Sequence, residues 1–291
     1  MTLRCTSIEG NRQRLDGGAM FGNAPKALWS RWLEPDALNR IPLACRSMLV
    51  EKDGLRVLFE AGIGAFMRPD LRERYGVEGE RSLLPASLEA AGVREGDVDV
   101  VVLSHLHFDH AGGLIPDWPA LEGDWQPRFP RARYVTGRAQ FARALAPHPR
   151  DRASYIPSLV EKLRDSGRLV LEEGTESSLP ELKGWVSYVW TEGHTPGLMH
   201  ALVRGASERV FFCSDLIPGQ AWVHLPITMG YDRFPERVVD EKRAVLERAL
   251  AENWLLFYTH DHQVASSRLR LAKEGRYEAV AALTSLKGLE L

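Results

Sequence analysis

Ser104-His105-Leu106-His107-Phe108-Asp109-His110-Ala111-Gly112-Gly113 places three imidazoles and a carboxylate within six residues. Directly before it runs Val98-Asp99-Val100-Val101-Val102-Leu103. That run is short, β-branched and nearly free of charge, the pattern of a buried strand. His105 and His107 stand two apart. On an extended segment residues i and i+2 face the same way, so both can aim at one ion. Asp109 and His110 follow where the chain turns, and can aim at a second point close by. Imidazole and carboxylate are ligands suited to zinc, iron or manganese. The chain holds nine His in 291 residues, so chance is a poor account of three within six positions.

The same pattern, a buried strand with His or Asp at its C-terminal end, recurs along the chain. It is found at Glu192-Gly193-His194-Thr195-Pro196-Gly197, at Cys213-Ser214-Asp215 and at Tyr258-Thr259-His260. Seven donors then project from one rim of a sheet system: His105, His107, Asp109, His110, His194, Asp215 and His260. Taken alone, His194 reads more readily as a core histidine capping a turn, and Asp215 as a turn residue before Pro218-Gly219. His262 competes with His260, which is preferred because it directly ends the strand Trp254-Leu255-Leu256-Phe257-Tyr258. His200 and His224 read as packing or pocket residues. His148, between two prolines in a charged loop, reads as a surface residue.

Working outward, Ser47-Met48-Leu49-Val50 and Leu55-Arg56-Val57-Leu58-Phe59 flank Asp53-Gly54, a strong two-residue hairpin signal. Helical spacing covers Ser82 to Ala91, Arg138 to Leu145 and Ser154 to Ser166, with stops at Gly92, Pro147 and Gly167. Pro235 to Asn253 is the longest helix, its stripe Val238, Val239, Val245, Leu246 and Leu250 facing a sheet. Further strands are expected at 132–136, 185–190, 199–203 and 209–213. Met20 and Phe21 lie among Gly17, Gly18 and Gly22. They read either as side chains tucked into the core or as one wall of a substrate pocket. Pro25 to Arg40 reads as an irregular insertion, a lid or a dimer contact. No repeat or linker splits the chain, so a single domain over 1–291 is expected.

Composition is that of an ordinary globular enzyme, 44% apolar and 26% charged, with a formal net charge of -2. No basic stripe appears, which disfavours nucleic acid as a partner. No apolar run approaches the length needed to cross a bilayer, and the N-terminal residues lack a signal-peptide core. Cys5, Cys45 and Cys213 are odd in number and widely spaced, which fits thiols in a reducing compartment. The expected address is the cytoplasm, without membrane association.

The order H-x-H-x-D-H, then His, Asp and His resembles the metallo-β-lactamase superfamily. The spacings fit: 84 residues from His110 to His194, 21 to Asp215 and 45 to His260. Within it the chain is most similar to the YtnP-like branch of quorum-quenching N-acyl-homoserine-lactone lactonases. The carrying stretches are Asp16-Gly17-Gly18-Ala19-Met20-Phe21-Gly22, Pro25-Lys26-Ala27-Leu28-Trp29-Ser30, Gly62-Ile63-Gly64, Leu106-His107-Phe108-Asp109-His110-Ala111 and Phe257-Tyr258-Thr259-His260-Asp261. The resemblance implies an α/β fold, a four-layer αββα sandwich with a two-metal site. By position, His105, His107 and His194 would hold one ion, Asp109, His110 and His260 the other, and Asp215 would bridge them. Zinc is the first choice of metal, with iron, manganese and cobalt compatible with the same ligands.

The reaction implied is hydrolytic ring opening of a small-molecule lactone or ester by a metal-bridging hydroxide. Asp109 would return a proton to the leaving oxygen. Met20, Phe21, Trp222, His224 and Tyr231 are the candidate substrate-binding residues, drawn from the pocket segments 17–40 and 217–235. Many such lactonases carry Tyr three residues after the bridging Asp, where this chain has Pro218. His224 or Tyr231 is the candidate substitute. Alternatives are a phosphotriesterase or other ester or phosphodiester hydrolase on the same metals, and a non-catalytic binding module. A homodimer through the apolar Pro25–Trp32 stretch is also expected.

Overall fold

The computed structural model describes residues 3–291, which fall into two compact units. The first comprises residues 3–13, Ala44–Gly174 and Lys287–Glu290. Its seven-stranded sheet runs Leu289–Glu290, Leu3–Ile8, Ser47–Lys52, Leu55–Phe59, Val100–Val102, Arg133–Gly137, Leu169–Glu172. Pairing is antiparallel up to Leu55–Phe59 and parallel beyond it. The hairpin falls where its turn signal lies. Asp53 and Gly54 both take positive φ, 50° and 87°, as a turn matched to strand twist requires. Helices Leu84–Ala90, Arg138–Leu145 and Pro157–Asp165 bury Leu84, Leu88, Phe141, Leu159 and Leu163 in one cluster with Leu49, Leu58 and Val101. Each such side chain contributes about 1.5–3 kcal/mol on burial. An exposed ion pair contributes about 0–1, so apolar packing dominates this unit.

The second unit comprises Arg14–Leu43 and Thr175–Leu286, with Leu291. Its six-stranded sheet runs Tyr277–Leu283, Ser266–Leu271, Leu255–Phe257, Arg209–Phe212, Leu198–Arg204, Val186–Thr191. Only Arg209–Phe212 and Leu255–Phe257 pair in parallel. The outermost strand carries an irregularity: its register with the neighbour shifts between Ser266 and Arg268, and Ala281 takes φ 49°. Helix Pro235–Ala251 begins on a proline, which suits a first turn. It buries Val238, Val245, Leu246 and Ala249, and with them Lys242. Val239 and Leu250, expected in that stripe, are half-buried. Lys242 is tolerated inside because its Nζ donates to the carbonyls of Trp222, His224 and Ile227, one acceptor for each proton it carries. Burial still pushes its pKa down to about 7.

The Pro25 to Arg40 insertion contains a short helix, Lys26–Trp29, and the segment before it is ordered as well. Asp16 caps a short helix Gly17–Phe21 by accepting from the Ala19 N–H at 2.8 Å. Phe21 stacks on Trp29 and on Trp222, at ring-centroid distances of 5.5 and 4.6 Å. Trp222 Nε1 donates to the Met20 carbonyl at 2.9 Å. Met20 and Phe21 are therefore core residues, 2% and 0% exposed. Phe21 packs its ring on Trp29 and Trp222, and Met20 joins the same apolar cluster. Trp29 is buried as well, and only Trp32 of the two tryptophans in that segment is open to solvent. Among the described residues no helix is long and apolar enough to cross a membrane.

Candidate metal centre

In the first unit the donors stand on the C-terminal rim of a parallel strand pair. Phe59 and Val102 are register partners, so Glu60 and Ser104 emerge side by side. Ser104 Oγ donates to Glu60 Oε1 and contacts His105 Nδ1 at 2.9 Å. Glu60 Oε2 lies 2.8 Å from His110 Nδ1. With both Nδ1 atoms acting as donors, the Nε2 lone pairs of His105 and His110 are the atoms that could face a cation. The rings of His105, His107 and His110 gather, with centroids 4.4 Å apart for His105 and His107 and 4.0 Å for His105 and His110. His107 ends the extended segment and precedes the one-turn helix Phe108–Ala111, which turns Asp109 and His110 inward, both buried. Asp109 Oδ2 accepts from Gln13 Nε2 at 2.7 Å, and Oδ1 sits 3.7 Å from His110 Nε2. Behind this turn the backbone passes very close. A Cβ on Gly113 would meet the Ala61 carbonyl oxygen at 2.0 Å.

The second unit repeats the construction. Phe212 and Phe257 are register partners of its parallel pair, and Asp215 and His260 follow them. Asp215 Oδ2 is 3.1 Å from His194 Nε2, and Oδ1 is 3.1 Å from His260 Nε2. His194 Nδ1 is fixed by Asp232 Oδ1 at 2.9 Å, and Asp232 Oδ2 accepts from the Met229 N–H. The His260 N–H donates to the Pro218 carbonyl at 2.9 Å. The turn before His194 is docked on the long helix: Glu241 accepts from the N–H groups of Glu192 and Gly193 at 2.8 and 3.0 Å. Burial raises the Glu241 pKa despite those bonds. A Cβ at Gly193 would meet Val238 Cγ2 at 2.5 Å, so only glycine lets the turn approach.

These donor sets fit a borderline divalent cation. Three imidazoles have Nδ1 committed to a carboxylate or hydroxyl, as metal-ligating histidines do. Two ligands of one tetrahedral zinc lie roughly 3.4 Å apart for bonds of about 2.1 Å, close to the 3.1 Å found on each side of Asp215. The first unit brings together His105, His107, Asp109 and His110, the second His194, Asp215 and His260. Of the expected substrate residues, Trp222 and His224 line a cleft of the second unit, and Tyr231 is exposed. His200 is buried on Thr191 Oγ1 at 2.8 Å, a packing residue as read. Glu60, Ser104, Gln13, Asp232 and Glu241 were not anticipated. Only Glu60 carried a signal, a carboxylate at the end of an apolar strand.

The metallo-β-lactamase superfamily model matches residues 40–116. The N-acyl homoserine lactonase AttM of Rhizobium radiobacter is 29% identical over 119 residues, 40% of this chain and 40% of that protein. The chain thus matches less than half the length of that relative. A probable metal-dependent hydrolase from Staphylococcus aureus superimposes with a TM-score of 0.85 at 23% identity, over 97% of this chain and 96% of that one. AidC, a dizinc quorum-quenching lactonase in complex with a product, N-hexanoyl-L-homoserine, gives 0.72 at 19% identity, over 96% and 94%. The expected α/β metallo-β-lactamase fold is the one found.

Proposed function

We propose that this chain of the metallo-β-lactamase fold is a two-metal hydrolase that opens the ring of N-acyl-homoserine lactones. The observation that carries the reading is Asp215, whose two oxygens each face the Nε2 of a different histidine at 3.1 Å. A carboxylate so divided is suited to bridging two cations. The ligand sets proposed are His105, His107 and His194 for one ion and Asp109, His110 and His260 for the other. When bound, such ions supply Lewis acidity and bring the pKa of water toward neutrality.

The chain's own residues do the rest. Glu60, Ser104 and Asp232 keep three imidazoles in the tautomer that presents Nε2. Gln13 holds Asp109 Oδ2, which orients Oδ1 on the His110 side. Asp109 is the group that returns a proton to the leaving alkoxide oxygen. Tyr231, exposed on the segment after Pro218, supplies the hydroxyl that would orient the substrate carbonyl. The names of AttM and AidC support an acyl-homoserine lactone as substrate, as do the motifs resembling the YtnP-like branch. Function as a single domain and a cytoplasmic address, in keeping with three free buried cysteines, belong to the same proposal.

The test is turnover by zinc-loaded protein of acyl-homoserine lactones of several chain lengths, beside aryl phosphotriesters and simple esters. Ring opening that Asp109→Asn lowers by about 100-fold at unchanged metal content, in line with removal of a general acid, is the expected result. Full metal loading with no lactone opened at any chain length overturns the substrate. Loading below one ion per chain overturns the centre.

A further inference from the structure

The second unit also carries an open cleft of about 630 Å³, within the range of about 300–1,000 Å³ typical of small-molecule sites. Leu28, Leu33, Trp32 and Tyr277 give it apolar and aromatic wall, and Arg31 and Arg276 give it cations. Trp32 is 39% exposed, yet its ring is backed by Phe21 at 5.6 Å and His224 at 6.3 Å. The floor is fixed from beneath, because Lys242 holds the carbonyls of Trp222, His224 and Ile227.

The balance of charge selects the ligand. Asp261 on the wall is already engaged, accepting from the N–H groups of Gln220, Gln263 and Val264. Glu278 is shared between Arg270 at 2.6 Å and Arg276 at 3.3 Å. Arg31 has no carboxylate within 4.0 Å among the described residues. The His224 imidazole is held below its ordinary pKa by burial and by the field of Arg276 and Lys242. The loop wall has two sides. His260 turns its Nε2 to Asp215, while the next residue, Asp261, turns to Gln220.

We propose that this cleft binds an amphipathic carboxylate, its head on Arg31 and Arg276 and its chain against Trp32, Leu28, Leu33 and Tyr277. Guanidinium groups favour carboxylates by charge-assisted, paired hydrogen bonds, and the aromatic walls favour an acyl chain. The ligand chemistry has two sources, a free fatty acid or a ring-opened acyl amino acid, and it does not require the metal chemistry proposed above.

Isothermal titration calorimetry of the full chain, zinc-loaded and chelator-treated, tests this with decanoate, N-decanoyl-homoserine and methyl decanoate. Chelator-treated protein is expected to bind both carboxylates, decanoate with the Kd of the zinc-loaded protein, and the methyl ester at least tenfold more weakly. Trp32→Ala and Arg31→Gln/Arg276→Gln should each weaken binding at least tenfold while the unfolding midpoint stays within a few degrees. Trp32→Phe should retain binding. The tighter of the two carboxylates names the source. Binding that vanishes with the metal, survives these substitutions or is absent overturns the proposal. So does light scattering showing a second copy of the chain displaced when Trp32 is substituted. Protein that opens no lactone but binds decanoate leaves this inference standing while removing the lactonase reading.

Discussion

Glu60 tethers His110 directly and His105 through Ser104. Glu60→Gln swaps one acceptor oxygen for a donor, so one of the two tethers meets a like group. Outer partners of this kind carry about 10–100-fold in metal affinity, and a loss of that size is expected in chelator competition. Unchanged affinity would show that Glu60 does not orient the imidazoles. His200 makes a different prediction. Burial pushes its pKa down to about 4, so the folded chain keeps it neutral while the unfolded chain protonates it near 6.5. Below pH 6.5 the unfolded state therefore binds the extra proton, and stability falls until pH reaches about 4. The full span amounts to about 3 kcal/mol. Urea unfolding of His200→Gln should show a loss between pH 7 and 4.5 smaller by that order; equal losses would exclude His200 as a cause. The gathering of His105, His107, Asp109 and His110 in one unit, and of His194, Asp215 and His260 in the other, was legible because His and Asp at strand ends are rare and patterned. Their partners were not: Glu60 lies 44 residues from Ser104, and Asp232 lies 38 from His194. No local periodicity announces a pairing at such range.

At the level of the element, the turn before His194 rests on helix Pro235–Ala251 through Gly193. Gly193→Ala forces a methyl against Val238, a clash worth about 1–3 kcal/mol in a packed interior. Thermal unfolding should register it, and zinc affinity should fall too, since the displaced turn carries His194. Full stability and affinity together would mean the helix simply yields. Strong periodicity made the helices and the Asp53-Gly54 hairpin readable. Helix Arg138–Leu145 was placed to the residue. Leu169–Glu172, Ser266–Leu271 and Tyr277–Leu283 escaped because they are partly exposed or lie at an edge, where apolar alternation fades. The buried Lys242 escaped for a related reason. A hydropathy stripe treats it as polar and outward, whereas the three carbonyls that draw it inward belong to a loop.

For the molecule as a whole, the proposed metal centre predicts a coupling of ion binding to stability. At a free zinc concentration of 100 times Kd, one site adds about 2.7 kcal/mol. For a chain of this size that corresponds to roughly 5–11 °C in Tm. Stripping the protein with a chelator should lower the calorimetric Tm by that order, and zinc should restore it; a midpoint indifferent to chelation would argue against an ion tied to the fold. The fold class was legible through resemblance, because the His and Asp residues at four strand ends match the order of the metallo-β-lactamase motif. The organisation of the two units was not, since each is assembled from discontinuous stretches of chain. The outermost strand of the second sheet has a consequence at this scale. An uninterrupted edge ending in Leu283, 42% exposed, would offer a template on which other chains could zip in concentrated solution. The positive φ at Ala281 and the slipped register beside it spoil the match, which makes this edge a poor template for such growth.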